Sequence, residues 1–251
     1  NESTQPVTFS GSAPGTIYNW VNNTPSIGLP ASGTGDISSF TAINTSNTPL
    51  SATITVSTEG QVETFAYIPN NVSNDVSVIN VATNTVVATI PVGDSPIGVA
   101  ISPDGTKVYV TNNFSNFVTV INTATNSVIG TINVGDYPSG IAVSPDGSQI
   151  YVTYIYSNFI SIFNTISNAL TATVAVGVSP IGVIVSPDGT KAYVTNSNSD
   201  SLSVISTSTN SILATIAVGD TPVGVCNSMD GTLVYVANQI SDNVSVINTN
   251  T

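Results

Sequence analysis

Ser102–Asn113 reads SPDGTKVYVTNN. Its first four residues put proline at the second and glycine at the fourth position of a tight turn, the pattern of a hairpin with a left-handed glycine. The run Lys107–Asn112, KVYVTN, is rich in β-branched and aromatic residues and predicts a strand. Working outward, SPDG returns at 144–147 and 186–189, SMDG stands at 228–231, and the YVTN of Tyr109–Asn112 returns at Tyr193–Asn196. Tyr67, Tyr109, Tyr151, Tyr193 and Tyr235 are each 42 residues apart, with no insertion or deletion. A fixed period of this size signals a repeat architecture, in which each unit buries its faces against its neighbours.

Four short β-rich runs fill one period, here called a to d; from Gly98 they read GVAIS, KVYVTN, FVTVIN and VIGTINV. Run c is followed at one phase by Asn84, Asn126, Asn168 and Asn210, each suited to the left-handed conformation of a reversal. Run d leads to the next copy through VGDSPIG at 92–98, VGDYPSG at 134–140, VGVSPIG at 176–182 and VGDTPVG at 218–224. Helical repeats fail because the apolar residues follow period two in segments too short for helices. A β-solenoid needs parallel crossovers where this sequence has hairpin turns. The prediction is all-β: four antiparallel strands per 42-residue copy, apolar on both faces and so covered on both.

SPDGTKVYVTNN and VINTATNSV, recurring in register, resemble the YVTN-repeat β-propeller family, similar to repeats in archaeal and bacterial surface-layer proteins, over residues 59–251. The resemblance implies propeller blades, in rings of about seven. This chain holds about 4.5 to 5. Copy 1 supplies b, c and d, three complete copies follow, and copy 5 supplies a, b and c before the sequence stops at VSVINTNT. SATITV at 51–56 is a candidate fourth strand for the last blade, which would close a ring; otherwise the sheet edge stays open to another chain. Tyr154, in YVTY, and the YIPN of copy 1 depart from the motif, predicting lost turn chemistry there.

Residues 1–58 read as strands with Gly/Pro turns. GTIYNWVNNTPSIGLPASGTG resembles the PKD-like, immunoglobulin-type modules of large secreted Bacteroidetes proteins, though this stretch is short for the roughly 100 residues of such a sandwich. Two modules, each incomplete at an edge, predict copies of the chain that complete one another by strand donation; closure within one chain is the alternative.

Composition narrows the partners. Of 251 residues, 41% are hydrophobic and 6% charged, with two lysines, no arginine or histidine, 14 acids and a net charge of −12. Such a surface repels phosphate backbones and anionic lipids, which argues against nucleic-acid and membrane-surface roles. No run is long and apolar enough to insert in a bilayer. The polar opening NESTQP is what a processed secreted product presents, and the Ser/Thr/Asn/Gly richness reads as extracellular or cell-surface.

Candidate sites are few. Without histidine or arginine there is no Ser-His-Asp triad, His-bearing metal site or arginine clamp. Asp104, Asp146, Asp188 and Asp230 are hairpin residues, and Asp200 and Asp242 share a b–c turn position with Asn74, Asn116 and Asn158, leaving Glu2, Asp36, Glu59, Glu63 and Asp75 without paired spacing. The expectation is no enzyme and no cofactor. Asp94, Asp136 and Asp220 share one phase in the d–a connection, where converging carboxylates would take a cation such as Ca²⁺; turn capping is the simpler reading. Cys226 is read as a buried small hydrophobe, the repeated tyrosines as packing between blades, and Phe114, Phe117 and Phe159 as a patch near the b–c loops. Sequons at Asn1, Asn22, Asn44, Asn71, Asn113 and Asn243 predict glycosylation. Together these predict a secreted structural protein that assembles with itself; the alternatives are a monomeric adhesive propeller presenting loops to glycans or proteins, and, third, a carbohydrate-active enzyme.

Overall fold

The computed structural model describes residues 2–9, 17–45, 51–59 and 64–250, and the chain divides into two units, Asn1–Thr64 and Phe65–Thr251. The first unit contains β1 (Glu2–Ser3), β2 (Ile17–Asn22), β3 (Ser32–Thr34), β4 (Thr41–Ala42) and β5 (Ile54–Glu59). β1 pairs with β4, and a three-stranded antiparallel sheet runs β3-β2-β5. Trp20, Leu29 and Ile37 are its core, with Phe9, Ile27, Phe40 and Ile54 packed against them. SATITV is not paired with the last blade among the described residues: residues 54–59 pair along the length of Ile17–Asn22, at the edge of the β3-β2-β5 sheet. That pairing carries β5 across the expected boundary at 58/59.

The second unit is built from the repeats. Copy 1 has β6 (Phe65–Asn70), β7 (Asp75–Asn80) and β8 (Thr85–Pro91). Copy 2 has β9 (Pro96–Ile101), β10 (Lys107–Asn112), β11 (Phe117–Asn122) and β12 (Ser127–Asn133). Copy 3 has β13 (Pro138–Val143), β14 (Gln149–Tyr154), β15 (Phe159–Asn164) and β16 (Leu170–Ala175), and copy 4 has β17 (Pro180–Val185), β18 (Lys191–Asn196), β19 (Ser201–Ser206) and β20 (Ser211–Ala217). Copy 5 has β21 (Pro222–Asn227), β22 (Leu233–Asn238) and β23 (Asn243–Asn248). Each copy is one antiparallel meander, of four strands in copies 2 to 4 and three in copies 1 and 5. Among the described residues, β6 and β23 each pair on one side only.

Turn chemistry matches the sequence closely. Gly105, Gly147, Gly189 and Gly231 adopt φ of 70°, 72°, 73° and 71° and close the a–b hairpins, each donating its N–H to the serine three residues back. Asn84, Asn126, Asn168 and Asn210 are left-handed at the c–d turns, as are Asn74, Asn116, Asp200 and Asp242 at the b–c turns. Asn158 is not, and its copy is the one where Tyr154 replaces the motif asparagine: Tyr154 stacks on Phe159 at 5.2 Å, and Ser157 Oγ donates to the Tyr154 and Phe159 carbonyls instead. Copy 1, in contrast, keeps its b–c turn despite YIPN, with Asn74 at φ 60°. The a–b and c–d pairings of every complete copy carry a register shift, a bulge that adds local twist.

Alternation gives each sheet a forward and a rear face. The motif tyrosine and two strand-c residues face forward, as in Tyr109, Val118 and Val120, and meet the rear face of the next copy, here Ile141, Ile150 and Val152. Tyr67, Val76 and Val78 meet Val108 and Val110 in the same way, Tyr151, Ile160 and Ile162 meet Ala192 and Val194, and Tyr193, Leu202 and Val204 meet Val234 and Val236. Each fully buried large side chain contributes roughly 1.5–3 kcal/mol, so stability resides in these four interfaces.

Candidate functional site

Threonine at the third motif position ties neighbouring copies together. Thr111 Oγ1 accepts from Gly98 N at 2.8 Å and donates to Ser139 O of the next copy at 2.5 Å. Thr153 does the same between Gly140 and Ile181, and Thr195 between Gly182 and Val223. All three threonines are fully buried. Glycine is required at Gly98, Gly140 and Gly182 because a Cβ there would enter the backbone carbonyl of the next copy. Sequence reasoning credited the threonine with strand propensity alone; its regular pairing with glycine 13 residues earlier was the available signal.

The b–c loops and d–a connections share one end of the unit. Asp94 Oδ1 accepts from Asn74 Nδ2 and Asp136 Oδ1 from Asn116 Nδ2, at 3.2 and 2.8 Å, while the backbone N–H groups of Asp94 and Asp220 donate to Ser115 and Ser241. The three aspartates stay exposed on separate connections, and among the described residues no three His, Cys, Asp or Glu gather into a metal-holding group. The structure thus gives Asp94 and Asp136 the turn-capping role and does not bring the trio together around an ion. The residue after each of these positions, Ser95, Tyr137, Ser179 or Thr221, has φ of 53–55° directly before a proline, a strained conformation that the sequence did not reveal.

Phe114, Tyr137 and Tyr156 converge at this end: Phe114 and Tyr137 lie edge to face at 6.2 Å, Tyr137 and Tyr156 at 5.2 Å. The aromatic patch is this trio. Phe117 and Phe159 are half-buried instead, the ring of Phe117 lying over Gly93 and that of Phe159 on Tyr154. Where copy 4 has Ser201 at the phase of Phe117 and Phe159, a shallow groove of about 520 Å³ opens, lined by Ser199, Asp200, Ser203 and Ile212 among others.

At the opposite end, grooves run between successive a–b hairpins. The largest of this series, about 480 Å³, holds Asp146 and Asp188 with Gln149 and Tyr151. Gln149 stands where Lys107 and Lys191 line the equivalent, smaller grooves. Asp146 accepts from Ser144 Oγ, Ser148 N and Ser148 Oγ, and these bonds hold its carboxyl below the ordinary range. Asp104, Asp188 and Asp230 are lowered by the same serine-led network. The same hydrogen bonds close the a–b hairpins, so these carboxylates act as turn caps.

Other expected sites separate by exposure. Asn44, Asn71 and Asn243 are exposed, but Asn22 and Asn113 are buried, their amide nitrogens donating to the Leu29 and Pro138 carbonyls, which withdraws the atom a glycan would occupy. Asn1 and Glu63 lie outside the described residues. Cys226 is exposed, contrary to the expectation of burial: its equivalents Ala100, Ala142 and Ile184 are partly covered by a following copy, and no copy follows it in this chain. Tyr67, Tyr109, Tyr151 and Tyr193 are buried between copies, and desolvation raises their pKa.

Residues 59–143 match the family model described as YNCE-like beta-propeller, and residues 165–251 that of Lactonase, 7-bladed beta-propeller. The repeats are propeller blades. Among solved structures, the Kuenenia stuttgartiensis hydrazine synthase is similar with a TM-score of 0.69 and 25% identity, over 74% of this chain and 60% of that one. Dihydro-heme d1 dehydrogenase NirN in complex with DHE is similar in fold, with a TM-score of 0.59 and 18% identity over 73% and 41% of the two chains. This chain therefore spans less than two thirds of either neighbour. No curated protein matches the sequence significantly. What the propeller of this chain displays is an aromatic loop end, an acidic hairpin end and, on copy 5, a forward face like those buried inside.

Proposed function

We propose that the chain is a secreted structural protein of the cell surface or extracellular space, without enzymatic activity or cofactor, that assembles with copies of itself. The forward face of copy 5 docks on the rear face of copy 1 of the next chain. The reading rests on the self-complementarity of the copies: four successive forward faces pack on the rear face of the next copy, and copy 5 carries the same face in Tyr235, Val244 and Val246. Two further details support it. Gly224 keeps the glycine whose equivalents are needed for the close approach of a following blade, although a Cβ on Gly224 would meet only the Ala237 side chain. On the other terminal sheet, Ile68 of the rear face is 45% exposed. Ala237 stands in place of the buried threonine, so the intermolecular contact lacks that hydrogen bond and is weaker than the internal ones. Exposed Asn44 and Asn243 are the glycosylation positions, whereas Asn71 Nδ2 donates to Ser95 Oγ much as Asn113 Nδ2 donates to Pro138 O.

Light scattering tests this. Assembly predicts a mass rising with concentration above the 25.6 kDa of the chain, with Cys226 losing reactivity toward maleimide as it does so, and a Val246→Asp variant that remains a single particle. Particles of single-chain mass at every concentration, with Cys226 always reactive, would overturn it.

A further inference from the structure

The loop end of the propeller carries apolar side chains where the fold has no use for them. One b–c loop phase holds Val72, Phe114, Tyr156, Asn198 and Ile240, and the four apolar ones are 95%, 68%, 79% and 68% exposed. A single exposed apolar residue is ordinary, but four at one phase on one end form a patterned surface. Tyr137 adds to it from a d–a connection, at φ 55° before Pro138, where the other copies place Ser95, Ser179 and Thr221. A bulky residue held in a left-handed, pre-proline conformation is strained, and such strain concentrates at functional positions.

Geometry and charge define the ligand. Phe114 and Tyr156 each stand nearly perpendicular to Tyr137, at 86° and 87°, and both rings remain mostly open to solvent. Asp94 and Asp136 lie on the adjoining connections, each with Oδ1 fixed by an asparagine and Oδ2 left as an acceptor. The two lysines, Lys107 and Lys191, begin strands b at the hairpin end, so the loop end offers aromatic faces and carboxylate acceptors with no cation. Sugar rings present an apolar C–H face for an aromatic ring and hydroxyl donors for a carboxylate; polyanions and anionic lipids are repelled. We infer that Phe114, Tyr137 and Tyr156, with Asp94 and Asp136, form a binding platform for an uncharged polysaccharide.

A net charge of −12 will carry the chain toward the anode in a native gel, which allows a direct test. Galactomannan, a mixed-linkage β-glucan and arabinoxylan are cast into separate gels, with polygalacturonate as the anionic comparison. Retardation is expected in at least one neutral gel and not with polygalacturonate, and the Phe114→Ala/Tyr156→Ala variant should lose about tenfold in apparent affinity. No retardation in the neutral gels, retardation by polygalacturonate alone, or an unchanged double variant would overturn the inference. So would a double variant that alters particle size instead of retardation, because the patch would then be a contact between copies. None of these outcomes depends on the terminal faces, so assembly and saccharide binding stand or fall separately.

Discussion

At the scale of single residues, the third position of the repeated motif does more than favour a strand. Thr153 Oγ1, on a fully buried side chain, satisfies Gly140 N and Ile181 O at once. Thr153→Val keeps the shape and removes both bonds, so it should cost about 1–3 kcal/mol in urea unfolding. A loss no larger than a surface substitution produces would show that the bond between copies is not limiting. The sequence showed this threonine as β-branched and correctly placed its tyrosine neighbours between blades. It hid the hydrogen bond because the partner belongs to another copy, reached only once the blades are stacked. Cys226 was misjudged for a related reason: alignment with Ala142 and Ile184 gives its phase, while its exposure depends on whether a blade follows.

At the scale of elements, the hairpins were the most legible part of the chain, since each SPDG carries its own geometry. The same network that closes them makes them sensitive to acid. Hydrogen bonds from serine and threonine lower the pKa of Asp104, Asp146, Asp188 and Asp230 in the folded state. Between the folded values and the ordinary aspartate value of about 4, the unfolded chain binds more protons, so the stabilisation is present above that value and lost as pH falls through the folded ones. Relief of the −12 net charge acts in the opposite direction. Comparing variants separates the two: an Asp146→Asn/Asp188→Asn protein should lose less of its urea midpoint between pH 5 and pH 3 than the unmodified chain. Equal losses would mean that the hairpin carboxylates do not carry the acid response. Less legible were the d–a connections, whose left-handed pre-proline residues contradict local preference. That conformation is imposed by neighbours, as in Ser95, whose N–H donates to Asn74 Oδ1 in the preceding b–c turn.

At the scale of the molecule, the repeat predicted the blades, their strand count and the short terminal sheets. It could not assign SATITV, because Ile54–Glu59 stands at the phase of a strand a yet pairs with Ile17–Asn22. Periodicity describes a strand's own pattern, whereas pairing depends on which partner offers the better edge. The meander of each copy has one further consequence, for a chain under load. Among the described residues β23 is bonded to β22 alone, so tension applied to such an outer strand peels a hairpin open one bond at a time instead of shearing whole strands together. Blades of 42 residues should then yield in series, each releasing about 140–150 Å of contour. A single-molecule pulling trace with steps of that size would describe a tether that lengthens in equal increments at low force and shortens again when the load is removed.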